Sequence, residues 1–212
     1  GGYSPEQLTA IGQGFQADAQ LDWGAMYAAN ATSAFAGRSV YVLYEDRTDD
    51  NLLNANSILQ SSLSDNISLN AGVNFRKLRS HNFQNLLDLM GGQYFSDIDP
   101  FFTGDAAQSD LNNPNRQVGE NESYGYNYLL HALTFDGFTQ FKFTYDKADF
   151  YLAQSFSRTE YQREGLYKNG IYANNSFGKG ESITFENFGF KGGLTYKLSG
   201  RHYFDFNGLY QT

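Results

Sequence analysis

The stretch from Ser123 to Glu164 most constrains what this chain can fold into, because it reads as two long strands reversed at a tight turn over Asp146–Asp149. At about 3.4 Å per residue, each arm of roughly twenty residues would reach about 70 Å. An ordinary strand has about five or six residues, and the hydrocarbon layer of a bilayer is about 30 Å thick. Strands of this length are typical of the wall of a large sheet or barrel rather than of a globular core.

Alternation of side chains supports the strand assignment. In the first arm, mainly apolar residues share one face and mainly polar residues tend to share the other. The first face carries Leu129, His131, Leu133, Phe135, Thr139, Phe141, Phe143 and Tyr145, and the second carries Asn127, Leu130, Thr134, Asp136, Gln140 and Thr144. The segment from Ile67 to Arg76 alternates in the same way, with Leu69, Val73 and Phe75 opposite Asn70 and Asn74.

The composition is typical of an outer-membrane barrel, in which lipid-facing and lumen-facing residues alternate and no segment is continuously apolar. Hydrophobic residues make up 41% of the chain and aromatic residues 17%, yet the mean hydropathy is −0.52, because Asn, Ser, Gly and Gln dilute the apolar residues. A soluble β-sandwich with one wet sheet face has a similar composition and is the alternative at this level.

Several other classes are excluded or disfavoured. No run approaches the roughly 18 consecutive apolar residues of a transmembrane helix. A net charge of −8 argues against nucleic-acid binding, which needs a basic surface. The absence of cysteine excludes a disulfide framework and thiolate metal sites. The first residues, Gly1 to Ser4, have no signal-peptide pattern, so a signal peptide would be cleaved or lie upstream.

The connections between predicted strands fall into two classes that alternate along the chain. The turns at Ser64–Asn66, Asp146–Asp149 and Ser199–Gly200 are short, whereas the connections near 79–122 and 167–184 are long. Such alternation places the short turns on one rim and the long loops on the other, as in outer-membrane barrels. We therefore predict an all-β fold: part of a large antiparallel transmembrane β-barrel (38–212) with long, partly helical outer loops, preceded by an ordered loop with short helices (1–37).

Local signals add further predictions. Ser4, Pro5 and Gln7 form a capping pattern that starts a helix, and Asp22 caps a second helical turn. A strand beginning at Ser39 is expected to end in a polar loop at 46–50. Phe83 to Met90 reads as an amphipathic helix stopped by Gly91 and Gly92.

The strand count predicts an incomplete barrel. Six or seven strands are visible, whereas a closed bacterial barrel has an even number of at least about eight. A membrane sheet also cannot leave backbone amides unpaired in hydrocarbon. We therefore expect the chain to be an internal piece of a larger barrel.

Candidate site residues are few. The aromatic residues Tyr94, Phe95, Phe101 and Phe102 either pack the long loop or offer stacking surfaces to a ligand. The acidic loop containing Asp97, Asp99, Asp105, Asp110, Asn112 and Asn113 could supply Ca²⁺ ligands, but turn and capping roles explain these residue types better.

No catalytic constellation stands out in the sequence. His81, His131 and His202 each stand alone, without metal-ligand spacing. Tyr145, Tyr151, Tyr161 and Tyr203 lie near strand ends and fit an interfacial girdle. We expect no enzymatic activity, metal or cofactor.

Several short motifs distributed over nearly the whole chain carry a family resemblance. They are Asp88-Leu-Met-Gly-Gly92, Asp110-Leu-Asn-Asn-Pro114, Tyr124-Gly-Tyr-Asn-Tyr128, Arg163-Glu-Gly165, Asn175-Ser-Phe-Gly178 and Lys191-Gly-Gly-Leu-Thr-Tyr-Lys197. In this order and spacing they resemble the barrel of TonB-dependent receptors of Bacteroidota outer membranes, of the type with a carboxypeptidase-regulatory-like N-terminal domain.

The resemblance implies a barrel of about 22 strands around a plug in the cell outer membrane of a Gram-negative bacterium. It further implies ligand capture by outer loops, and import driven by the TonB complex. The expected partners are outer-membrane lipid, the rest of the barrel and plug, the TonB complex and a surface lipoprotein. The alternative function is a receptor-like barrel that serves as a structural subunit of an assembly or secretion complex. A soluble adhesive β-sandwich is the third alternative.

Overall fold

The fold is all-β and built on one large antiparallel sheet. A computed structural model describes residues 4–17, 21–32 and 37–212. Its strands, in chain order, are β1 (Leu43–Ser64), β2 (Ile67–Asp88), β3 (Phe95–Ser96), β4 (Gln117–Val118), β5 (Ser123–Thr144), β6 (Ala148–Gly165), β7 (Gly178–Lys179), β8 (Ile183–Ser199) and β9 (His202–Gln211). The sheet order is β1-β2-β5-β6-β8-β9, with β7 added beside β6, while β3 and β4 form a separate small ladder. The long strands thus pair in sequence order as a continuous antiparallel wall.

The predicted long hairpin is confirmed. β5 and β6 pair from Thr144 and Asp149 at the turn to Tyr128 and Gly165 at the far end. The short turns after β1, β5 and β8 lie at one end of the sheet, and the long connections of 89–122 and 166–182 lie at the other. One residue was placed on the wrong face: Asn127 is the register partner of Phe83 and shares a face with Leu129.

Two local predictions are wrong, and both concern the end of the sheet that carries the long loops. Asp46–Asp50 is not a polar loop, because β1 continues through it and Asp49 lies opposite His81. Phe83 to Asp88 belongs to β2 rather than to a helix, and pairs with β1 on one side. In both cases backbone pairing with a neighbouring strand overrides the local sequence pattern. The sequence of a single segment does not reveal that pairing.

The loops are therefore shorter and less helical than predicted. The first runs from Leu89 to Glu122 and contains one short 3₁₀-helix, Gly104–Ala107. The second runs from Leu166 to Ser182 and contains β7.

Both N-terminal helices form where their caps predict. Helix α1 spans Pro5–Ala17, and the Ser4 hydroxyl accepts a hydrogen bond from Gln7 N while the Gln7 side chain accepts one from Ser4 N. Helix α2 spans Trp23–Ala31, and the Asp22 carboxylate accepts a hydrogen bond from Ala25 N. Neither described helix is long and apolar enough to cross a bilayer. The rest of the predicted 1–37 segment, residues 1–3, 18–20 and 33–36, lies outside the described residues.

Helix α2 is attached to the sheet through Asn30, which is buried. Its amide nitrogen donates to the carbonyl oxygens of Tyr41, Leu89 and Met90, at 2.8 to 3.0 Å. Its amide oxygen accepts from the backbone N–H groups of Val40 and Tyr41. The predicted strand start at Ser39 is accordingly four residues early, because Val40 and Tyr41 bond to this side chain before β1 begins.

The two faces of the sheet differ in character. On one face, here called the band face, apolar side chains from all six long strands are register neighbours in its lower half, nearest the short turns. This apolar band comprises Leu53 and Leu59 of β1, Ile67, Leu69, Val73 and Phe75 of β2, Leu133, Phe135, Phe141 and Phe143 of β5, Phe150, Leu152 and Phe156 of β6, Phe188, Phe190, Leu194, Tyr196 and Leu198 of β8, and Phe204, Phe206 and Tyr210 of β9.

The opposite face, here called the polar face, carries mainly amides, hydroxyls and charged groups. It includes Asn56, Asn70, Asn74, Asp136, Gln140, Lys142, Asp149, Ser155, Ser157, Asn187, Lys191, Asp205 and Asn207. Apolar and aromatic side chains interrupt this pattern at several positions, among them Leu52, Ile58, Leu130, Phe138, Tyr151, Tyr161, Ile183, Phe185 and Leu209. The predicted division into an apolar and a wet face therefore holds in the lower half of the wall, whereas above Phe75 and Leu133 the band face becomes polar and charged.

Much of the apolar surface is exposed. The chain has an accessible surface of 14853 Å², whereas a compact monomer of this mass would expose about 10,000 Å². Leu152 and Phe206 of the band are 60% and 62% exposed. Water is an unfavourable environment for a continuous apolar surface of this size, so the band requires an apolar covering.

We predict that Asn30→Ala releases α2 from the sheet. The substitution leaves three carbonyls and two N–H groups without their partner, at a cost of about 2–4 kcal/mol. Hydrogen exchange at the amides of Val40 and Tyr41 should accelerate strongly. As a control, Asn54→Ala changes an exposed amide on β1 and should leave the same exchange rates unchanged.

Candidate functional site

The first long loop folds back over the polar face at its upper end. Tyr124 and Leu86 lie on that face of the strands and form a small core with Leu89 and with Val118 of the loop. Phe95 packs against this core, with its ring 5.3 Å from that of Tyr124 in an edge-to-face arrangement. The loop therefore caps one end of the polar face instead of extending away from the sheet.

Arg116 is the polar centre of this cap. It donates to Asp97 Oδ2 at 2.7 Å, to the Tyr167 hydroxyl at 2.9 Å and to the carbonyl oxygen of Ser123. Asp97 is buried, and its other oxygen accepts from Gly125 N at 2.9 Å. One side chain thus joins the first loop, the start of β5 and the second loop.

The electrostatics of this centre favour a permanently charged guanidinium. Burial lowers the pKa of Arg116, but the interactions with the Tyr167 hydroxyl and the Asp97 carboxylate outweigh it and raise the pKa above its ordinary value. The guanidinium also lies 4.8 Å from the centre of the Tyr167 ring, a cation–π distance.

The two long loops are joined by main-chain hydrogen bonds. Leu111 N donates to Lys168 O at 2.7 Å, and Gly170 N donates to Gln108 O at 2.9 Å. The Asp110 carboxylate accepts from Lys168 N at 3.0 Å. Gly170 is required at its position, since a Cβ atom there would stand 1.8 Å from the carbonyl oxygen of Asp105. We call the two loops together the loop cap.

The four predicted aromatic site residues separate into two groups in the loop cap. Phe95 packs in the small core, and Tyr94 is half-buried. Phe101 is 90% exposed and Phe102 is 45% exposed, beyond a turn in which the Asp99 carboxylate accepts from Phe101 N. The packing interpretation describes Phe95, whereas Phe101 and Phe102 are presented to the surroundings.

The acidic loop residues that were candidate Ca²⁺ ligands have turn and pairing partners. Asp97 pairs with Arg116, and Asp110 accepts from Asn112 N and from the Asn113 side chain. Within the described residues, no group of three or more acidic or histidine side chains is placed to hold a metal ion. The loop therefore offers hydrogen-bonded turns where a Ca²⁺ site would need a convergent set of oxygens.

A groove of about 570 Å³ lies on the polar face, below the loop cap. Phe138, the phenylalanine of its lining that lies on the polar face, is above Gly72, where a Cβ atom would stand 2.6 Å from the ring. Asn74 donates to Asp136 Oδ2 at 2.8 Å, and Asn187 is within 3.3 Å of Ser157 Oγ. The site residues predicted from the sequence all lie in loops, and the signal for this groove in the sequence is the alternation of Asn70, Gly72 and Asn74.

The histidines lie apart from this groove. His131 and His81 are on the band face, above the apolar band, where His131 Nε2 is 3.0 Å from Glu164 Oε2 and His81 Nε2 is 2.7 Å from Asn127 Oδ1. His202 is exposed at the start of β9. The groove on the polar face is therefore lined by amides, hydroxyls, the Asp136 carboxylate and the Arg76 guanidinium rather than by imidazoles.

No protein-family model, curated protein or solved structure matches this chain. The wall, the groove, the loop cap and the short sequence motifs are therefore the features that bear on function.

We predict opposite outcomes for two aromatic truncations in the loop cap. Phe95→Ala should loosen the small core, at a cost of roughly 2–3 kcal/mol, because it removes a ring packed against Tyr124. Limited proteolysis within residues 89–122 should then become faster. Phe101→Ala should leave the proteolysis rate unchanged, and faster cleavage of that variant would show that its ring also packs.

Proposed function

We propose that this chain forms part of the wall of a TonB-dependent outer-membrane transporter that captures a ligand and imports it. The observation that carries the proposal is the apolar band on one face of the sheet, opposite a polar face. On β2 the band runs from Ile67 to Phe75, and on β5 from Leu133 to Phe143. These are nine and eleven residues, and a tilted transmembrane strand needs about 9–11.

The arrangement of the connections supports the same proposal. The short turns lie next to the apolar band and the long loops lie at the other end, as in barrels with short periplasmic turns and long outer loops. In this orientation the polar face lines the lumen and the loop cap covers its outer mouth. The band face is then turned toward lipid.

Ligand capture is assigned to two separate surfaces, one in the loop cap and one on the polar face of the wall. The exposed Phe101 and Phe102 meet the ligand first, and the groove beneath the cap, with the Phe138 ring and its amides, forms a second contact region. Aromatic faces with a few hydrogen-bonding groups are common features of binding sites for small molecules. The energy source is proposed from the motif resemblance, and energy coupling belongs to the plug and TonB-contacting parts of such receptors.

A genetic comparison tests transport. Deletion of the gene for this protein and inactivation of TonB should impair growth on the same limiting nutrient, and combining the two should add nothing, because both act on one uptake step. A deletion that instead disrupts surface assembly or secretion, with TonB making no difference, would contradict transport and favour a structural subunit.

We predict that a charge in the middle of the apolar band prevents stable membrane insertion. Leu152→Lys places an ammonium group on the band face, at a cost of about 2–4 kcal/mol near the bilayer midplane. The amount of protease-resistant protein in the outer-membrane fraction should fall.

Ser155→Lys is the matched control, because it adds the same group three residues away on the polar face. The Ser155→Lys variant should show about as much protease-resistant protein in the outer-membrane fraction as the native protein. Equal amounts for Leu152→Lys and Ser155→Lys would contradict the assignment of the band to lipid.

A further inference from the structure

Directly above the apolar band, the band face changes from aromatic to cationic. Lys77 and Arg79 follow Phe75 on the same face of β2, and both are exposed. Their register partners on β5 are Leu133 and His131. Side chains two residues apart on a strand are about 7 Å apart along it, so Lys77 and Arg79 form adjacent positive groups at the edge of the band.

These two cations have no ionic partner within the described part of the chain. Two of the acidic groups nearby on this face have ionic partners, whereas Glu160 keeps its charge and lies on the far side of Leu133 from Lys77. Glu164 pairs with His131, Asp49 pairs with Arg47, and Glu160 accepts a hydrogen bond from the Ser182 hydroxyl at 2.6 Å. Lys77 and Arg79 thus place two adjacent positive charges on the band face of a chain whose net charge is −8.

A groove of about 370 Å³ crosses the boundary between the band and this cationic pair. Its lining includes Phe75 and Leu133 at the apolar end, and Lys77, His131, Glu160 and Gln162 at the polar end. An amphiphile that places a hydrocarbon chain over Phe75 and an anionic headgroup beside Lys77 would match both ends. A free anion would use only the polar end.

We propose that Lys77 and Arg79 form a binding site for the phosphate group of a membrane lipid, whose acyl chain lies along Phe75 and Leu133. The proposal rests on the membrane location argued above and adds to it a specific lipid contact. Basic groups at the level of lipid headgroups attract anionic headgroups, and Arg can hold a phosphate through two parallel hydrogen bonds. The occupant is a phosphate-bearing lipid, held at the loop-side boundary of the bilayer.

The test compares lipid retention by the whole native protein and its variants. The protein is reconstituted into phosphatidylcholine vesicles that contain a minority of phosphatidic acid, extracted in mild detergent, and analysed by native mass spectrometry. The native protein should retain phosphatidic acid in excess of its share in the vesicles. Lys77→Gln/Arg79→Gln should lower this excess about tenfold or more, because two basic contacts are lost.

Lys142→Gln/Lys191→Gln is the matched control, since it removes the same charge from the polar face. It should retain the lipid as the native protein does. Equal retention of phosphatidic acid by both double variants, or no excess of it in the native protein, would overturn the lipid site. Insertion of the protein into the vesicles would in that case still support the transporter wall. A native protein that does not insert at all would overturn both proposals.

Discussion

The structure depends on backbone pairing that continues without a break along very long strands. β2 is hydrogen-bonded to β1 and β5 over nearly all of its 22 residues. Since side chains alternate strictly along a strand, this pairing fixes which residues share a face over the whole wall. A slip of one residue would move Phe141 to the polar face and Lys142 to the band face, so the apolar band itself holds the register once it is covered.

The upper part of the wall is stabilised differently. Beyond Phe75 and Leu133 the band face becomes charged, and the polar face is covered by the loop cap with its core around Leu86 and Tyr124. The cap is held by specific polar groups, above all Arg116, Asp97 and the main-chain bonds at Gly170. The same strands therefore carry two different surfaces: an exposed apolar band below and a hydrogen-bonded cap above.

This division explains how much could be predicted from the sequence. Where one face is apolar and the other wet, alternation identified the strands, their short turns and their faces, as for Ile67 to Phe75. Above the band, Asp46–Asp50 and Phe83–Asp88 form strands because β1 and β2 pair there. The local sequence pattern of either segment does not indicate this pairing. Contacts such as Asn30 with Leu89, or Arg116 with Tyr167, join residues more than 50 positions apart and leave no periodic signal.

The length of β2 above the band has a consequence for access from outside. From Phe75 to Asp88 the strand continues for about 44 Å, more than the thickness of the hydrocarbon layer itself. In the proposed orientation the wall would raise the loop cap above the lipid surface. The cap would then be the part of the protein that a bulky agent such as an antibody could reach, whereas lipid would shield the apolar band.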